Sequence, residues 1–213
     1  MVESTERIAG ELGLTVVRRF ADGEFGATLV RRGDSELVLR VIDSEEWLPI
    51  VTRGSGIANR LRSTGYPAPE YLGAGTLEGS TWTLQRLLPG SVPPVMTAGH
   101  AAQLIALARR HAGLGESGFD WQREAIRHTR RSLANASAAA PEFVRELSAV
   151  IDRTADIELR RGDVVHSDFH HRNYLAESDR VTGIFDWEIA TAGDWRFDLV
   201  TLAFWTSTFP VGA

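Results

Sequence analysis

The chain has 213 residues and 43% hydrophobic content, enough for one large domain or two small ones with a substantial core. It contains no cysteine, which excludes disulfides, thiolate zinc sites and cysteine nucleophiles and fits a reducing cytoplasm. A net charge of −5 argues against holding nucleic acid by bulk electrostatics and suits a cationic ligand better, and all 23 basic residues are arginine, so there is no lysine for a Schiff base or for a P-loop.

The first residues, MVESTERIAG, have no basic region followed by an apolar stretch and do not read as a signal peptide. Strands are expected at Leu14 to Phe20, at Thr28 to Arg32 and at Glu36 to Ile42, an antiparallel meander whose first turn is ADGEFGA and whose second is Gly33-Asp34. Residues 45–64 carry apolar residues at helical spacing, but Pro49, Gly54 and Gly56 interrupt them, so a helix is expected only from about Ser55. After GYPAPEYLGAG, Thr81 to Leu88 supplies another strand or two, and Leu88-Pro89-Gly90 with SVPP breaks the chain. Thr97 reads as the N-cap of a helix running to about Gly113, and further helices are expected at about 121–135 and 142–157, the last with Phe143, Leu147, Val150 and Ile151 on one face. Short strands return at 163–186. The apolar run from Leu199 to Phe209 is too short to span a bilayer, so no membrane association is expected, and the aromatic residues Trp187, Phe204 and Trp205 are expected in the core. The pattern is α+β in two lobes: a sheet-rich part over 1–88 and a mainly helical part over 89–213.

The chemistry concentrates in VVHSDFHHRNYLAESDRVTGIFDWE. Tyr174 to Ala176 and Val181 to Phe185 form a hairpin around ESDR, and antiparallel pairing brings Asn173 and Asp186 together at its open end. Asn and Asp oxygens are what a hard Mg²⁺ accepts, with water and phosphate oxygens in its remaining positions. Asp168, five residues before Asn173, lies close enough to receive the proton of a hydroxyl attacking a bound phosphate. A metal cluster of His166, His170 and His171, as in a metal-dependent hydrolase, is the competing reading. The segment does not look helical, and His166 is expected instead to orient the loop by hydrogen bonds.

These residues resemble the aminoglycoside phosphotransferase family, which includes choline and homoserine kinases and shares the protein-kinase-like fold. The family pattern HGDxxxxN is met by His166 to Asn173 with Ser167 in place of glycine, I-D-W-[DE] by Phe185 to Glu188, and the following G-D and D-L by Gly193-Asp194 and Asp198-Leu199. The resemblance implies Asp168 as catalytic base, Asn173 and Asp186 as Mg²⁺ ligands and Asp198 as a carboxylate bracing the loop. Upstream, GYPAP at 65–69 and Thr81 to Gly90 are similar to family elements, which implies adenine against the backbone at Gln85 to Leu87 and Arg40 in place of the lysine that holds the nucleotide phosphates. Gly23 and Gly26 would lie in the phosphate-covering loop, or serve simply as hairpin residues. Glu188 is expected to pair with an arginine, the alternative being contact with a cationic acceptor.

The chain departs from the family at two places. Gly54 falls where the family has a helix glutamate that pairs with the strand lysine, which leaves Glu45 or Glu46 as candidate partner of Arg40. Family members also continue past the D-L helix with acceptor-binding helices, so the fold is expected to be short at Ala213. The expectation is an enzyme moving the γ-phosphate of ATP or GTP to a hydroxyl of a small molecule, an aminoglycoside-like antibiotic being the acceptor that the resemblance and the acidic balance favour. The alternative is a catalytically impaired or truncated kinase-like nucleotide-binding protein.

Overall fold

The computed structural model describes residues 2–20, 26–116, 121–136, 138–154 and 156–208. A helix α1 (Val2–Glu11) opens the chain, absent from the sequence reading; Thr5, Ile8 and Ala9 recur at helical spacing and are buried on its inner face. Then come β1 (Thr15–Arg19), β2 (Thr28–Arg32) and β3 (Ser35–Ile42), the expected meander. Two further strands, β4 (Tyr71–Leu77) and β5 (Ser80–Arg86), complete an antiparallel sheet in the order β1-β2-β3-β5-β4. One face of this sheet packs Val30, Leu37, Leu39, Val41 and Leu84 against Ile8, Ala9 and Leu14.

Past the meander, the sequence pattern suggests strands only from Thr81 on, whereas β4 precedes them and carries the glycines of GAG. They are there for Trp82: a Cβ at Gly75 would stand 2.9 Å from the indole, so the ring lies flat on bare backbone. The next helix also starts earlier than expected. After a one-turn helix at Glu45–Trp47, α2 spans Leu48–Ser63, with Pro49 in its first turn, where no backbone N–H is required. Gly54 and Gly56 are carried inside it, at a cost of about 1 kcal/mol each relative to alanine.

The remainder is mainly helical: α3 (Ala98–Arg109), α4 (Trp121–Ala136), α5 (Pro141–Thr154) and α6 (Arg196–Thr208). Thr97 caps α3 as expected, and His100 Nδ1 accepts from the Thr97 backbone N–H to close a capping box. Between α5 and α6 lie the two-stranded pairs β6 (Asp163–Val165) with β9 (Thr191–Gly193) and β7 (Tyr174–Glu177) with β8 (Arg180–Ile184). The second core gathers Ile57, Ala58 and Leu61 of α2, Leu104 and Ala108 of α3, and Phe169, Tyr174, Ile184, Trp187 and Leu202. Trp187 is fully buried, as expected, whereas Phe204 is exposed and Trp205 half-buried, because α6 turns Asp198 and Leu202 inward and Phe204 away. No residue of the expected apolar stripe of α5 is fully buried either. Among the described residues, no helix is long and apolar enough to cross a membrane.

The segment after β5 is tied to the β7–β8 hairpin. Ser91 and Ala176 exchange backbone hydrogen bonds of 3.2 and 2.9 Å, and the Thr182 hydroxyl donates to Pro89 O at 2.7 Å. Ile184 N–H donates to Pro67 O at 2.7 Å, so the loop between α2 and β4 rests on the same hairpin.

Candidate active site

β6 delivers the chain into the loop His166–Asn173, and α6 holds that loop. Both oxygens of Asp198, in the first turn of α6 and fully buried, accept backbone N–H bonds of 3.0 Å from His166 and Ser167. The same carboxylate accepts from His111 Nδ1 at 3.0 Å, and His111 Nε2 lies 2.9 Å from the Tyr66 hydroxyl. Asp198 therefore braces the loop as the resemblance implied, while His111 was missed. Its only sequence signal was a lone polar residue ending an apolar helix. Ser167 adopts φ 73°, the left-handed backbone that glycine takes more easily, and the paired N–H bonds to Asp198 hold it there.

His166 orients the loop as expected. Its Nε2 donates to Phe185 O at 2.9 Å and its Nδ1 accepts from Asp168 N–H at 3.3 Å. With both ring nitrogens engaged, and His170 Nδ1 accepting from Arg172 N–H at 3.1 Å, the histidines are used locally. Among the described residues, no three His, Cys, Asp or Glu side chains are grouped to hold a metal.

Asp168 projects from this loop about one-third exposed, within reach of an incoming hydroxyl. Burial alone would raise its pKa, but the contact with His170, whose Nε2 lies 3.3 Å from Oδ1, outweighs it, and the carboxyl is held below the usual aspartate value. Asn173 Nδ2 donates to Asp168 O at 2.9 Å and to Oδ2 at 2.8 Å, which turns the Asn173 amide oxygen away as the atom open to a cation. The β7–β8 register pairs Tyr174 with Ile184, and Phe185 N–H donates to Asn173 O at 3.1 Å. Asn173 and Asp186 are thus adjacent at the open end of the hairpin, as their spacing predicted. Asp186 has φ 70°, a conformation aspartate tolerates better than most residues.

Arg40 enters from the sheet. It sits on β3 opposite Thr83, on the face away from the α1 core. Its Nη1 is 2.5 Å from Asp186 Oδ1 and 2.8 Å from Glu188 Oε1, so the partners are Asp186 and Glu188 and not Glu45 or Glu46. Glu45 instead accepts from Gly79 N–H at 3.1 Å. The reason lies at Gly54: a Cβ there would stand 2.1 Å from Trp187 O and 2.7 Å from Glu188 O, so α2 packs its bare backbone on the Trp187–Glu188 peptides. That packing seats Glu188 beside Arg40. Glu188, almost wholly buried, has its pKa raised by burial first and by Asp186 second, with Arg40 opposing. Burial would raise Asp186 too, but Arg40 dominates and the net shift is downward; for Arg40 the two carboxylates outweigh the desolvation that alone would lower its pKa.

The donor set fits Mg²⁺. It combines the Asn173 amide oxygen with an Asp186 carboxylate held ionised, while the chain has no thiolate and both ring nitrogens of His166 are engaged in the loop. Gln85 lies buried near the end of β5, opposite Val38 and Tyr71, and Leu87 follows it at the surface. Gly26 has φ 57° just before the Phe20–Ala27 backbone bond that closes the β1–β2 turn; Gly23 lies outside the described residues.

The family model for the phosphotransferase enzyme family matches residues 16–213. No curated protein matches the chain. Among solved structures, a thermostable mutant of aminoglycoside phosphotransferase APH(4)-Ia, in ternary complex with ADP and hygromycin B, superposes with a TM-score of 0.71 at 20% identity over 95% of this chain and 77% of its own. An aminoglycoside-3'-phosphotransferase of type VIII gives 0.66 at 22% identity over 96% and 83%. Macrolide 2'-phosphotransferase MphH from Brachybacterium faecium gives 0.54 at 20% identity over 94% and 78%. At these identities the likeness is one of fold, the two-lobed kinase-like α+β architecture.

Proposed function

Because the chain belongs to the phosphotransferase enzyme family, and is on that ground a small-molecule kinase, we propose that it moves the γ-phosphate of ATP or GTP onto a hydroxyl of a small, cationic, aminoglycoside-like acceptor. The observation that carries the reading is the convergence of three separate stretches of chain: the loop that bears Asp168 and Asn173, the end of β8 that bears Asp186, and β3 that bears Arg40. Asn173 and Asp186 would hold Mg²⁺, which when bound neutralises the charge of the nucleotide phosphates.

The protein's own residues supply the rest. Asp168, kept ionised by His170, accepts the acceptor hydroxyl's proton as the new oxygen–phosphorus bond forms. Asn173 fixes the Asp168 rotamer through Nδ2, and Asp198 fixes the loop that carries both. Arg40 reaches the cleft from β3 with a fixed positive charge suited to the nucleotide phosphates. The base would lie against the backbone at Gln85 to Leu87, with Gly23 and Gly26 over the phosphates. The acidic net charge supports a cationic acceptor, and APH(4)-Ia was crystallised with one such antibiotic, hygromycin B.

The test is turnover of Mg·ATP with a panel of amino-sugar acceptors, comparing the native chain with Asp168→Ala. The variant should lose roughly 10²- to 10⁴-fold in kcat while nucleotide affinity is kept. Unchanged turnover would remove Asp168 from the mechanism.

A further inference from the structure

We propose that Gln85 is the residue that selects the base, its side-chain amide reading adenine and discriminating against guanine. The inference rests on the nucleotide-binding reading above, which leaves the base open, and deepens it.

The pleat of β5 sends Leu84 into the α1 core and turns Thr83 and Gln85 to the cleft face, where Thr83 stands opposite Arg40 and Gln85 opposite Val38. Gln85 is only 7% exposed, yet its Oε1 is buried with no hydrogen-bond donor among the described residues. Thr83 Oγ1, on a residue 2% exposed, has no partner among them either. Buried polar groups in a native fold are normally paired, so this row of the cleft floor calls for a partner from outside the chain. The terminal torsion of a glutamine side chain is soft, and the amide can turn to meet a base that enters the cleft. Gln85 lies two residues along β5 from the Arg40 register, about 7 Å by strand rise, which leaves room for a ribose between a base at Gln85 and phosphates at Arg40.

The β3–β5 ladder ends at the Leu37–Arg86 pair, so a base lying against the peptides that follow uses its Watson–Crick edge there and turns its other polar edge to the Gln85 side chain. On that edge adenine presents a donor, the N6 amine, beside an acceptor, N7, and a carboxamide meets the two with its oxygen and its N–H. Guanine presents two acceptors, O6 and N7. The amide has a donor for one of them and leaves Oε1 unpaired or facing an acceptor, so the guanine nucleotide is disfavoured.

The experiment measures calorimetrically the binding of ADP, GDP and 7-deaza-ADP, which lacks N7, each with Mg²⁺, to the native chain, Gln85→Met and Gln85→Glu. The native chain should favour ADP over GDP by roughly 5- to 150-fold, the scale for one bidentate base contact. It should bind 7-deaza-ADP more weakly than ADP by roughly 2- to 10-fold, the scale of one hydrogen bond. Gln85→Met, similar in length but without the amide, should bring ADP and GDP within about twofold of each other, chiefly by weakening ADP, and should bind ADP and 7-deaza-ADP alike. Gln85→Glu keeps an acceptor for N6 and has no donor for N7, so it should retain the adenine preference and lose the response to 7-deaza substitution; it carries the test if Gln85→Met does not fold. A native chain that binds GDP as tightly as ADP or is indifferent to N7, or a Gln85→Met protein in which ADP and GDP weaken equally, would overturn the inference and leave the kinase reading intact. A native chain that binds neither nucleotide would overturn both.

Discussion

Replacing Gly54 by alanine sets two effects of opposite sign against each other. Helix propensity favours the change by about 1 kcal/mol, since glycine is costly in a helix interior. Packing opposes it, because the new Cβ would sit 2.1 Å from Trp187 O, 2.7 Å from Glu188 O and 2.9 Å from Glu188 C. All three are backbone atoms of the strand-to-loop segment that carries Asp186, so no flexible side-chain tip can give way. Relief requires α2 or the Trp187–Glu188 segment to move by more than 1 Å, at the upper end of the roughly 1–3 kcal/mol typical of overpacking or beyond it. The net expectation is a loss of about 2 kcal/mol, or roughly 4–8 °C in melting temperature for a chain of this size. Gly56 is the internal control. It lies on the same helix, but a Cβ there would meet nothing nearer than Arg60 Nη1 at 3.9 Å. Gly56→Ala should therefore stabilise by about 0.4–1 kcal/mol. Urea denaturation of the two variants beside the native chain decides the matter. A Gly54→Ala protein as stable as Gly56→Ala would refute the claim that α2 rests on that peptide.

Two other perturbations test the site. Asp168 has a depressed pKa, so as a base it stays ionised at high pH and is lost only as pH falls through the lowered value; the acid limb of kcat should lie below the ordinary aspartate range. His170→Ala, which removes the main opposing contact, should move that limb upward, and a pH–rate profile that does not shift would show that His170 has no such influence. Asp198→Ala leaves His111 and the His166 and Ser167 N–H groups without their buried acceptor, at a cost of about 3–5 kcal/mol; thermal unfolding at the native temperature would contradict the brace.

What the sequence disclosed and what it concealed divide along physical lines. The meander, the Thr97 cap and the β7–β8 hairpin rest on local signals, namely alternation, a capping residue and a short polar turn, and all were legible. So was the adjacency of Asn173 and Asp186, because a hairpin converts sequence spacing directly into distance. β4 and the first turns of α2 were hidden by glycines whose justification is tertiary, an indole in one case and a peptide backbone in the other. The partner of Arg40 was hidden for the same reason. Glu188 is 148 positions away in the chain, and only the close approach at Gly54 brings it there. His111 reaches Asp198 across 87 residues and gave no local sign of doing so.

The hydrogen bonds that fasten residues 89–91 to the β7–β8 hairpin have a mechanical consequence. The chain just beyond Leu87 and the hairpin ends that carry Asn173 and Asp186 form one piece, so the gap between the proposed resting places of base and phosphates is set like the jaws of a caliper. Movement of the outer strands of the sheet leaves that opening unchanged. A nucleotide held as proposed would be gauged by the length of its phosphate chain as well as by its base.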